Sequence, residues 1–134
     1  MIEKKEAPAP KPSAPEQESS YIEYDDFAKI QLKVAKVLNA ERVSNADKLL
    51  RIDIEVGSER RQIVAGIAKD YQPEEIIGKS IIIVANLRPR KLRGLESNGL
   101  MCSTRELELG EDHDGIIELP EDAPVGTPFA DYHG

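Results

Sequence analysis

The sequence predicts an all-β domain: a five-stranded Greek-key barrel with a short helix between its third and fourth strands and a short N-terminal helix. Apolar residues recur at every second position in several short segments, which is the period of a half-buried strand. Turn-forming residues separate these segments at short intervals. The segment "PEEIIG", residues 73–78, has Pro at its start and Gly at its end, which is typical of a short helix. The order of these segments along the chain predicts the barrel.

Ordered structure is expected to begin near Tyr21. The segment "YDDFAK" predicts one helical turn, with Asp25 or Asp26 as its N-cap. A first strand follows in "IQLKVAKV", residues 30–37, and its alternation predicts two faces. The inward residues are Ile30, Leu32 and Val34, and the outward residues are Gln31, Lys33 and Ala35.

The second and third strands are expected to form a hairpin. The segment "SNAD", residues 44–47, has turn-forming residues, and "LRIDIEV", residues 50–56, then alternates without interruption. The inward residues of this strand are Leu50, Ile52, Ile54 and Val56. A short turn at "GSE" leads to a third strand in "RQIVAGI", residues 61–67.

The fourth strand, "KSIIIVAN" at residues 79–86, is apolar on both faces, which predicts a central position. The segment "GLMCST", residues 99–104, predicts a fifth strand, and "GIIEL", residues 115–119, adds a short sixth candidate. Five strands with a small helix between the third and fourth have the element order of an OB-fold. A split sandwich with another topology is the main competing architecture.

The first twenty residues differ from the rest in composition. Residues 1–20 contain four prolines and one large aliphatic residue, so they cannot bury enough apolar surface to offset the entropy of ordering. We therefore expect a disordered Pro-rich linker over residues 1–20 and one OB-fold domain over residues 21–134. The sequence leaves open whether the linker joins a further domain or is a flexible arm.

The residue pattern argues against an enzyme. The two histidines, His113 and His133, lie in an acidic segment, and the chain contains neither a nucleophile motif nor a Gly-rich phosphate loop. The acidic segment "GEDHDG", residues 110–115, lacks the spaced ligands of a calcium loop and is expected to be a solvated turn. We therefore expect neither a metal nor a cofactor.

Cysteine usage and hydropathy indicate a cellular compartment. The single cysteine, Cys102, cannot form an internal disulfide, and its place in a predicted strand favours a buried structural thiol. No apolar run approaches the length of about 20 residues that spans a membrane, and no secretory signal opens the chain. A soluble, cytoplasmic protein is expected.

Positive charge is concentrated in one segment of an acidic chain. The formal net charge is −7, yet residues 86–105 carry five cations and one anion. The segment "RPRKLRG", residues 88–94, holds four of these cations: Arg88, Arg90, Lys91 and Arg93. Because charges are screened beyond about 8 Å at physiological ionic strength, this cluster can attract phosphate despite acidic residues elsewhere.

We interpret this segment as a loop that grips an RNA backbone. Arginine presents a planar fork of donors that fits phosphate oxygens, and Asn86, Ser97 and Asn98 would add hydrogen bonds to sugars or base edges. A solvated charge run that only keeps the loop soluble is the alternative. Two Phe, four Tyr and no Trp provide few platforms for stacked bases, which favours a folded RNA recognised by its shape.

Three stretches of the sequence resemble a known family. They are "DFAKIQLKVAKVLNAERVSNADKLLRIDIEVG", "RQIVAGIAKDYQPEEIIGK" and "IVANLRPRKLRGLESNGLMCS". Together they resemble the tRNA-binding domain of methionyl-tRNA synthetases, which also occurs as stand-alone dimeric tRNA-binding proteins and in endothelial monocyte-activating polypeptide II. The resemblance covers about residues 24–128. It implies an OB-fold that grips the backbone and elbow of tRNA without sequence-specific readout and assists an aminoacyl-tRNA synthetase, with methionyl preferred.

The resemblance also implies the partners and the contact residues. The implied partners are tRNA and the catalytic chain of a synthetase. The implied contacts are Lys48, Asn86, Arg88, Lys91, Arg93, Ser97 and Met101. Arg90 is added on its charge alone, because the family often has a small residue there, and strand packing is at least as good a role for Met101.

The tail of the chain resembles a different relative. Residues 102–132 are similar to the version of this domain in the β subunit of phenylalanyl-tRNA synthetase. The methionyl and stand-alone versions commonly dimerise through their terminal segments, and the start "DDFAKI" favours a homodimer here. Two other functions stay open: a dimeric chaperone-like module that binds proteins, and a dimerisation domain of a synthetase.

Overall fold

The computed structural model describes residues 20–108 and 111–126. Residues 1–19 of the predicted linker and residues 127–134 of the predicted domain lie outside the described residues. Two compact units, residues 1–30 and 31–134, divide the chain. Among the described residues, no helix has both the length and the apolar composition that crossing a membrane requires.

The first unit contains the predicted N-terminal helix, α1, at Tyr24–Ala28. Its N-cap is Glu23, so the expectation of Asp25 or Asp26 at that position is wrong. Asp26 instead lies in the first turn, where its Oδ2 accepts a hydrogen bond from the Glu23 backbone N–H at 3.4 Å. A carboxylate in the first turn also compensates the positive end of the helix dipole.

The second unit consists mainly of strands. Within the described residues these are β1 Leu32–Val43, β2 Ala46–Val56, β3 Glu59–Ala65, β4 Ser80–Val84, β5 Arg90–Leu92, β6 Leu95–Ser97, β7 Leu100–Met101, β8 Ser103–Glu108, β9 Glu111–Ile116 and β10 Glu118–Leu119. The helix α2, Pro73–Ile76, lies between β3 and β4 as predicted.

Strand β1 is at the centre of the main sheet. It pairs antiparallel with both β2 and β4, and the sheet order is β10-β4-β1-β2-β3, with β7 also pairing with β4. The outer edge of β3 meets residues that lead into β7: the Asn98 backbone N–H donates to the Gln62 carbonyl at 2.8 Å. The β3 edge is thus joined through Asn98 to the segment that pairs with β4. The all-β prediction is confirmed, and the arrangement is OB-like.

The core of the barrel follows the predicted alternation of β2. The side chains of Leu50, Ile52 and Ile54 are fully buried, and Val56 is also buried. Ile63 of β3 and the β4 residues Ile81 and Ile83 are likewise fully buried. Burying each such side chain contributes roughly 1.5–3 kcal/mol relative to leaving it exposed.

The predicted alternation of β1 is wrong at its start. Ile30 lies before the strand and is 44% exposed, whereas Ala35, expected to face outward, is fully buried. Neighbouring Val34 is buried as well, and the C-terminal segment lies beside it, where the Gly126 backbone N–H donates to the Val34 carbonyl at 2.7 Å. A strand covered on both sides loses the clean alternation of a half-buried one.

The C-terminal part of the barrel also differs from the prediction. The predicted fifth strand is divided into β7 and β8 around Cys102. The acidic segment expected to be a solvated turn instead forms most of β9, which pairs antiparallel with β8. A two-stranded ribbon supplies hydrogen-bond partners for the backbone of this acidic stretch. The Cys102 thiol is half-buried, and desolvation by burial raises its pKa above the usual value.

Candidate nucleic-acid interface

The cationic segment forms a β-hairpin rather than an irregular loop. Strands β5 and β6 pair antiparallel, with Leu92 opposite Leu95. Arg93 and Gly94 make the turn, and both have positive φ angles, +51° and +83°. Positive φ at both central residues is the signature of a type I′ turn, the tight turn that best matches the twist of paired strands. Gly94 adopts a positive φ easily, whereas Arg93 adopts a left-handed conformation that is rare for arginine.

The pleat of the hairpin distributes its cations over two faces. Arg90 lies opposite Ser97, and Lys91 lies opposite Glu96. Because successive residues of a strand point to opposite faces, Arg90 and Lys91 point away from each other. All four predicted cations are exposed, and none of them forms an ion pair with a carboxylate of residues 20–104 or 115–126. The hairpin therefore offers positive charge on both faces and at its tip.

The tip of the hairpin contacts the turn between β1 and β2. Arg93 Nη1 donates to the Asn45 carbonyl oxygen at 3.3 Å. Asn45 itself has a positive φ of +63°, which asparagine tolerates better than most residues. This contact brings the two sequence segments "NADKL" and "RPRKLRG" together across 48 residues of chain. Lys48, the third residue of β2, is exposed, as a contact with RNA would require.

The base of the hairpin is fixed to β3 by side-chain hydrogen bonds. Gln62 Nε2 donates to the Glu96 carbonyl at 2.9 Å. The Ser97 hydroxyl accepts from the Val64 backbone N–H at 2.9 Å and donates to the Gly99 carbonyl at 3.3 Å. The hairpin is therefore held at both its tip and its base, which reduces the entropy lost when it binds a ligand.

Three of the predicted contact residues have structural roles in this arrangement. Ser97 and Met101 are buried, with 4% and 6% of their surface exposed. Since the Ser97 hydroxyl is occupied and Met101 packs in the core cluster, the geometry favours a supporting role over the direct RNA contact that we expected. Asn86 is exposed, but its Oδ1 accepts from the Gln31 backbone N–H at 2.9 Å and so ties the end of β4 to the start of β1.

The structure adds two cations that the sequence analysis missed, Arg42 and Lys69. The Ala68 backbone N–H donates to the Lys48 carbonyl at 3.0 Å, which places exposed Lys69 beside Lys48. Arg42 joins them, because its Nη1 donates to the Ala68 carbonyl at 3.5 Å. We call Arg42, Lys48 and Lys69 the corner cluster. No sequence spacing signals it, since only the folded topology brings its three members together.

Three other cations of the barrel, Arg51, Arg61 and Lys79, are neutralised by ion pairs. Arg51 forms ion pairs with Glu41 and with Asp53, the latter at 2.8 Å, and the hydrogen bonds that it donates to the Glu41 carboxylate raise the pKa of Arg51 above its usual value. Further ion pairs join Arg61 to Glu59 at 3.1 Å and Lys79 to Glu118 at 2.9 Å. Among the described side chains, the exposed cations without an ion pair are those of the hairpin and the corner cluster, together with Arg60 of β3. Within the described part of the chain, no group of three or more His, Cys, Asp or Glu residues could hold a metal ion.

The geometry has the arrangement by which OB-folds bind oligonucleotides. In that fold, the loop between strands 1 and 2 and the loop between strands 4 and 5 flank the binding face. Here those loops are the turn at Asn45 and the hairpin that begins with β5, and Arg93 joins them. The arrangement can neutralise phosphates on a nucleic acid that crosses the two loops.

Parts of known proteins are similar in sequence to this chain. A family model described as "Putative tRNA binding domain" matches residues 32–128. The methionine–tRNA ligase of Thermotoga maritima is 54% identical over 88 residues, which are 66% of this chain and 14% of the ligase. That of Caldanaerobacter subterraneus subsp. tengcongensis is 52% identical over 116 residues, which are 86% of this chain and 17% of the ligase. The chain thus spans less than a fifth of the length of these relatives.

Solved structures share the fold as well. A MetRS-related protein from Pyrococcus horikoshii is 38% identical with a TM-score of 0.74, and the match covers 81% of this chain and 97% of that one. The chaperone CsaA from Bacillus anthracis str. Ames is 27% identical with a TM-score of 0.72, and the match covers 83% of this chain and 100% of that one. With a family model over most of its length and a structural relative matched almost end to end, the chain belongs to the tRNA-binding domain family, a family of non-catalytic binding domains.

Proposed function

We propose that this chain grips the phosphate backbone of tRNA at the elbow through the hairpin and the corner cluster. The hydrogen bond from Arg93 to the Asn45 carbonyl carries the proposal, because it joins two cationic surfaces into one. The cations of this joint surface form no ion pair with a carboxylate among the described residues, whereas Arg51, Arg61 and Lys79 do. A phosphate backbone would supply the missing counter-charges.

Phosphate is the ligand that these side chains suit best. The arginines offer bidentate hydrogen bonds to two phosphate oxygens, and the lysines add point charges. The hairpin that carries the four predicted cations is fixed at its tip and at its base. Little conformational entropy is therefore lost when it binds phosphate. A folded RNA presents phosphates in a fixed spatial pattern, and a rigid protein surface can match such a pattern without reading bases.

We place this activity beside an aminoacyl-tRNA synthetase in the cytoplasm. The support is the similarity to parts of two methionine–tRNA ligases, at 54% and 52% identity. A module that holds the tRNA body would raise the affinity of a catalytic chain for the same tRNA, because linked contacts add their free energies. The methionyl enzyme is the preferred partner.

We further propose that the chain forms a homodimer through its first unit. Tyr21, Ile22, Tyr24 and Phe27 are 72%, 63%, 45% and 44% exposed, and the rings of Tyr24 and Phe27 lie 6.0 Å apart. So many exposed apolar side chains within seven residues are typical of an interaction surface. Sedimentation velocity tests this: the wild type should sediment as a dimer, and the double variant Tyr24→Ser, Phe27→Ser as a monomer. A wild-type monomer would eliminate the homodimer.

Competition binding tests the proposed function. Fluorescently labelled tRNA should be displaced by unlabelled tRNA at lower concentration than by duplex RNA or single strands of the same length. Lys91→Ala should weaken tRNA binding, whereas Lys79→Ala, which removes a lysine outside the proposed interface, should not. Equal competition by all RNAs would argue against recognition of a folded tRNA, and unchanged binding by Lys91→Ala would argue against the hairpin.

The similarity to the chaperone CsaA supports a second candidate, a module that binds unfolded protein. This candidate predicts suppression of the aggregation of a denatured test protein, unaffected by Lys91→Ala and abolished by Tyr24→Ser, Phe27→Ser. The tRNA-binding proposal predicts that tRNA affinity falls in Lys91→Ala and is kept in Tyr24→Ser, Phe27→Ser. A pure dimerisation domain predicts that the chain binds neither ligand.

A further inference from the structure

An open cleft of about 370 Å³ lies on the outer face of the barrel, beside the hairpin. Six residues line it: Leu38, Asn39, Asp53, Arg60, Arg61 and Gln62. Three of them form a row across neighbouring strands, since Asn39 pairs with Asp53 and Asp53 pairs with Gln62. Hydrogen-bonding side chains from β1, β2 and β3 thus meet on one face.

A β-bulge shapes this cleft. The register between β1 and β2 shifts between Val37 and Asn39, which leaves Leu38 without a partner on β2. The half-buried Leu38 gives the cleft an apolar patch within its polar row. Bulges often re-aim side chains beside functional sites.

The cleft differs from the hairpin in charge. Its Asp53 carboxylate is paired through Oδ1 to Arg51 at 2.8 Å, and Gln62 is committed to the hairpin and to Arg51. Three groups remain: the Asp53 carboxylate, which keeps Oδ2 and the second lone pair of Oδ1 as acceptors, the Asn39 amide, and the exposed Arg60 guanidinium, for which the described residues supply no partner. A site with an acceptor, an amide donor and a planar cation suits a base edge better than a phosphate.

The cleft adjoins the phosphate-binding surface. Gln62 lines the cleft and also donates to the Glu96 carbonyl of the hairpin at 2.9 Å. A nucleotide whose phosphate is held by the hairpin can therefore place its base on this face. OB-folds use the outer face of strands 2 and 3 in this general way.

We propose that the cleft binds the base of one unpaired guanine of the RNA that the hairpin holds, a proposal that rests on the proposed function. Guanine presents two adjacent N–H donors, at N1 and N2, beside the O6 acceptor. The Asp53 carboxylate accepts from the two donors, and the Asn39 amide donates to O6. Side chains directly opposite on antiparallel strands have Cβ atoms about 5 Å apart, so both reach one base edge. The Arg60 guanidinium stacks on the base, a role that arginine planes serve where aromatic rings are scarce.

Other bases match this pattern less well. Adenine offers one donor at N6 and an acceptor at N1, which would face the Asp53 carboxylate. Inosine keeps the N1 donor and the O6 acceptor but lacks the N2 donor. The cleft therefore predicts the order guanine, inosine, adenine. Such a contact would add base discrimination to an interface that the family resemblance implies to have no sequence-specific readout.

Short RNAs test the guanine site directly. We would measure fluorescence anisotropy with decamers of adenosine whose central position is guanosine, inosine or adenosine, because adenine is the base that matches the cleft least well. The wild type should bind the guanosine RNA about 10-fold more tightly than the adenosine RNA, since one bidentate contact is worth about 1–3 kcal/mol of discrimination. The inosine RNA should fall between them. Equal affinity for all three RNAs would overturn the guanine site and leave the backbone grip intact.

Variants separate the cleft from the hairpin. Asn39→Ala should bring the affinity for the guanosine RNA down towards that for the adenosine RNA, while Gln31→Ala, which removes another exposed side-chain amide near the start of β1, keeps the preference. Lys91→Ala should lower the affinity for all three RNAs by a similar factor. Preference unchanged in Asn39→Ala would overturn the assignment of Asn39. If no RNA, tRNA included, binds at 50 mM salt, the proposed function fails, and the guanine site fails with it.

Discussion

Replacing Arg88, Lys91 and Arg93 together by Ala should flatten the salt dependence of tRNA binding. Each phosphate that a protein neutralises contributes about 0.9 to the slope of log affinity against log salt concentration on duplex nucleic acid. The hairpin cations alone therefore predict a slope near −3.6 for the wild type, and full use of the corner cluster brings the limit to about −6.3. The triple variant should be shallower by about 2.7.

The difference is large enough to measure by anisotropy titration of labelled tRNA at 50, 100 and 200 mM salt. If the hairpin alone contacts phosphate, the wild type should lose about 150-fold in affinity across this range, and the triple variant about 3-fold. The thermal midpoint should stay the same, because the three side chains are exposed. Lys79→Ala serves as the charge control, since an exposed ion pair contributes only about 0–1 kcal/mol to stability. A triple variant with the wild-type slope would refute the hairpin as the phosphate grip.

Three further substitutions test particular features of the fold. Arg93→Gly should leave the thermal midpoint unchanged or raise it, because it relieves a left-handed conformation that costs roughly 1–2 kcal/mol. The same variant should weaken tRNA binding in an anisotropy titration, and a large loss of stability would contradict the left-handed turn. Gly126→Ala should lower the free energy of urea unfolding by about 2 kcal/mol or more, because its Cβ would lie 2.5 Å from the Gly57 backbone at a φ of +87°, and wild-type stability would mean that the two backbones do not meet. Ser80→Ala should leave that free energy unchanged or raise it by up to about 1 kcal/mol, because the buried hydroxyl has no hydrogen-bond partner among the described residues; a loss of more than about 1 kcal/mol would reveal a partner, such as a bound water.

The sequence was most informative where one face of a strand is buried. The alternation of Leu50, Ile52 and Ile54 predicts β2 and its inward face correctly, because water on one side and core on the other impose a period of two. The same rule fails at the start of β1, where the neighbours Val34 and Ala35 are both buried, Ala35 in the core and Val34 beside the C-terminal segment. The contact of Val34 with that segment joins residues about 90 positions apart, and no local pattern reports it.

The candidate site shows the same division. The charge density of residues 88–93 identifies the hairpin cations from sequence, since all four lie within six positions. The corner cluster could not be found this way, because Arg42, Lys48 and Lys69 meet only through the backbone around Ala68. The burial of Ser97 and Met101 is likewise a tertiary property. The type of a polar or sulfur-containing residue next to a cationic segment does not indicate whether its side chain faces the ligand or the core.

Chemical-shift mapping of the isotope-labelled chain with unlabelled tRNA tests the central claim most directly. Binding through the hairpin and the corner cluster predicts that the backbone amides of residues 90–94, 44–48 and 68–69 shift together as tRNA is added, and that added salt reverses the shifts. Amides of β10, on the opposite edge of the main sheet from β3, should stay in place. Shifts confined to residues 21–30, with the hairpin amides unmoved at saturating tRNA, would contradict the account.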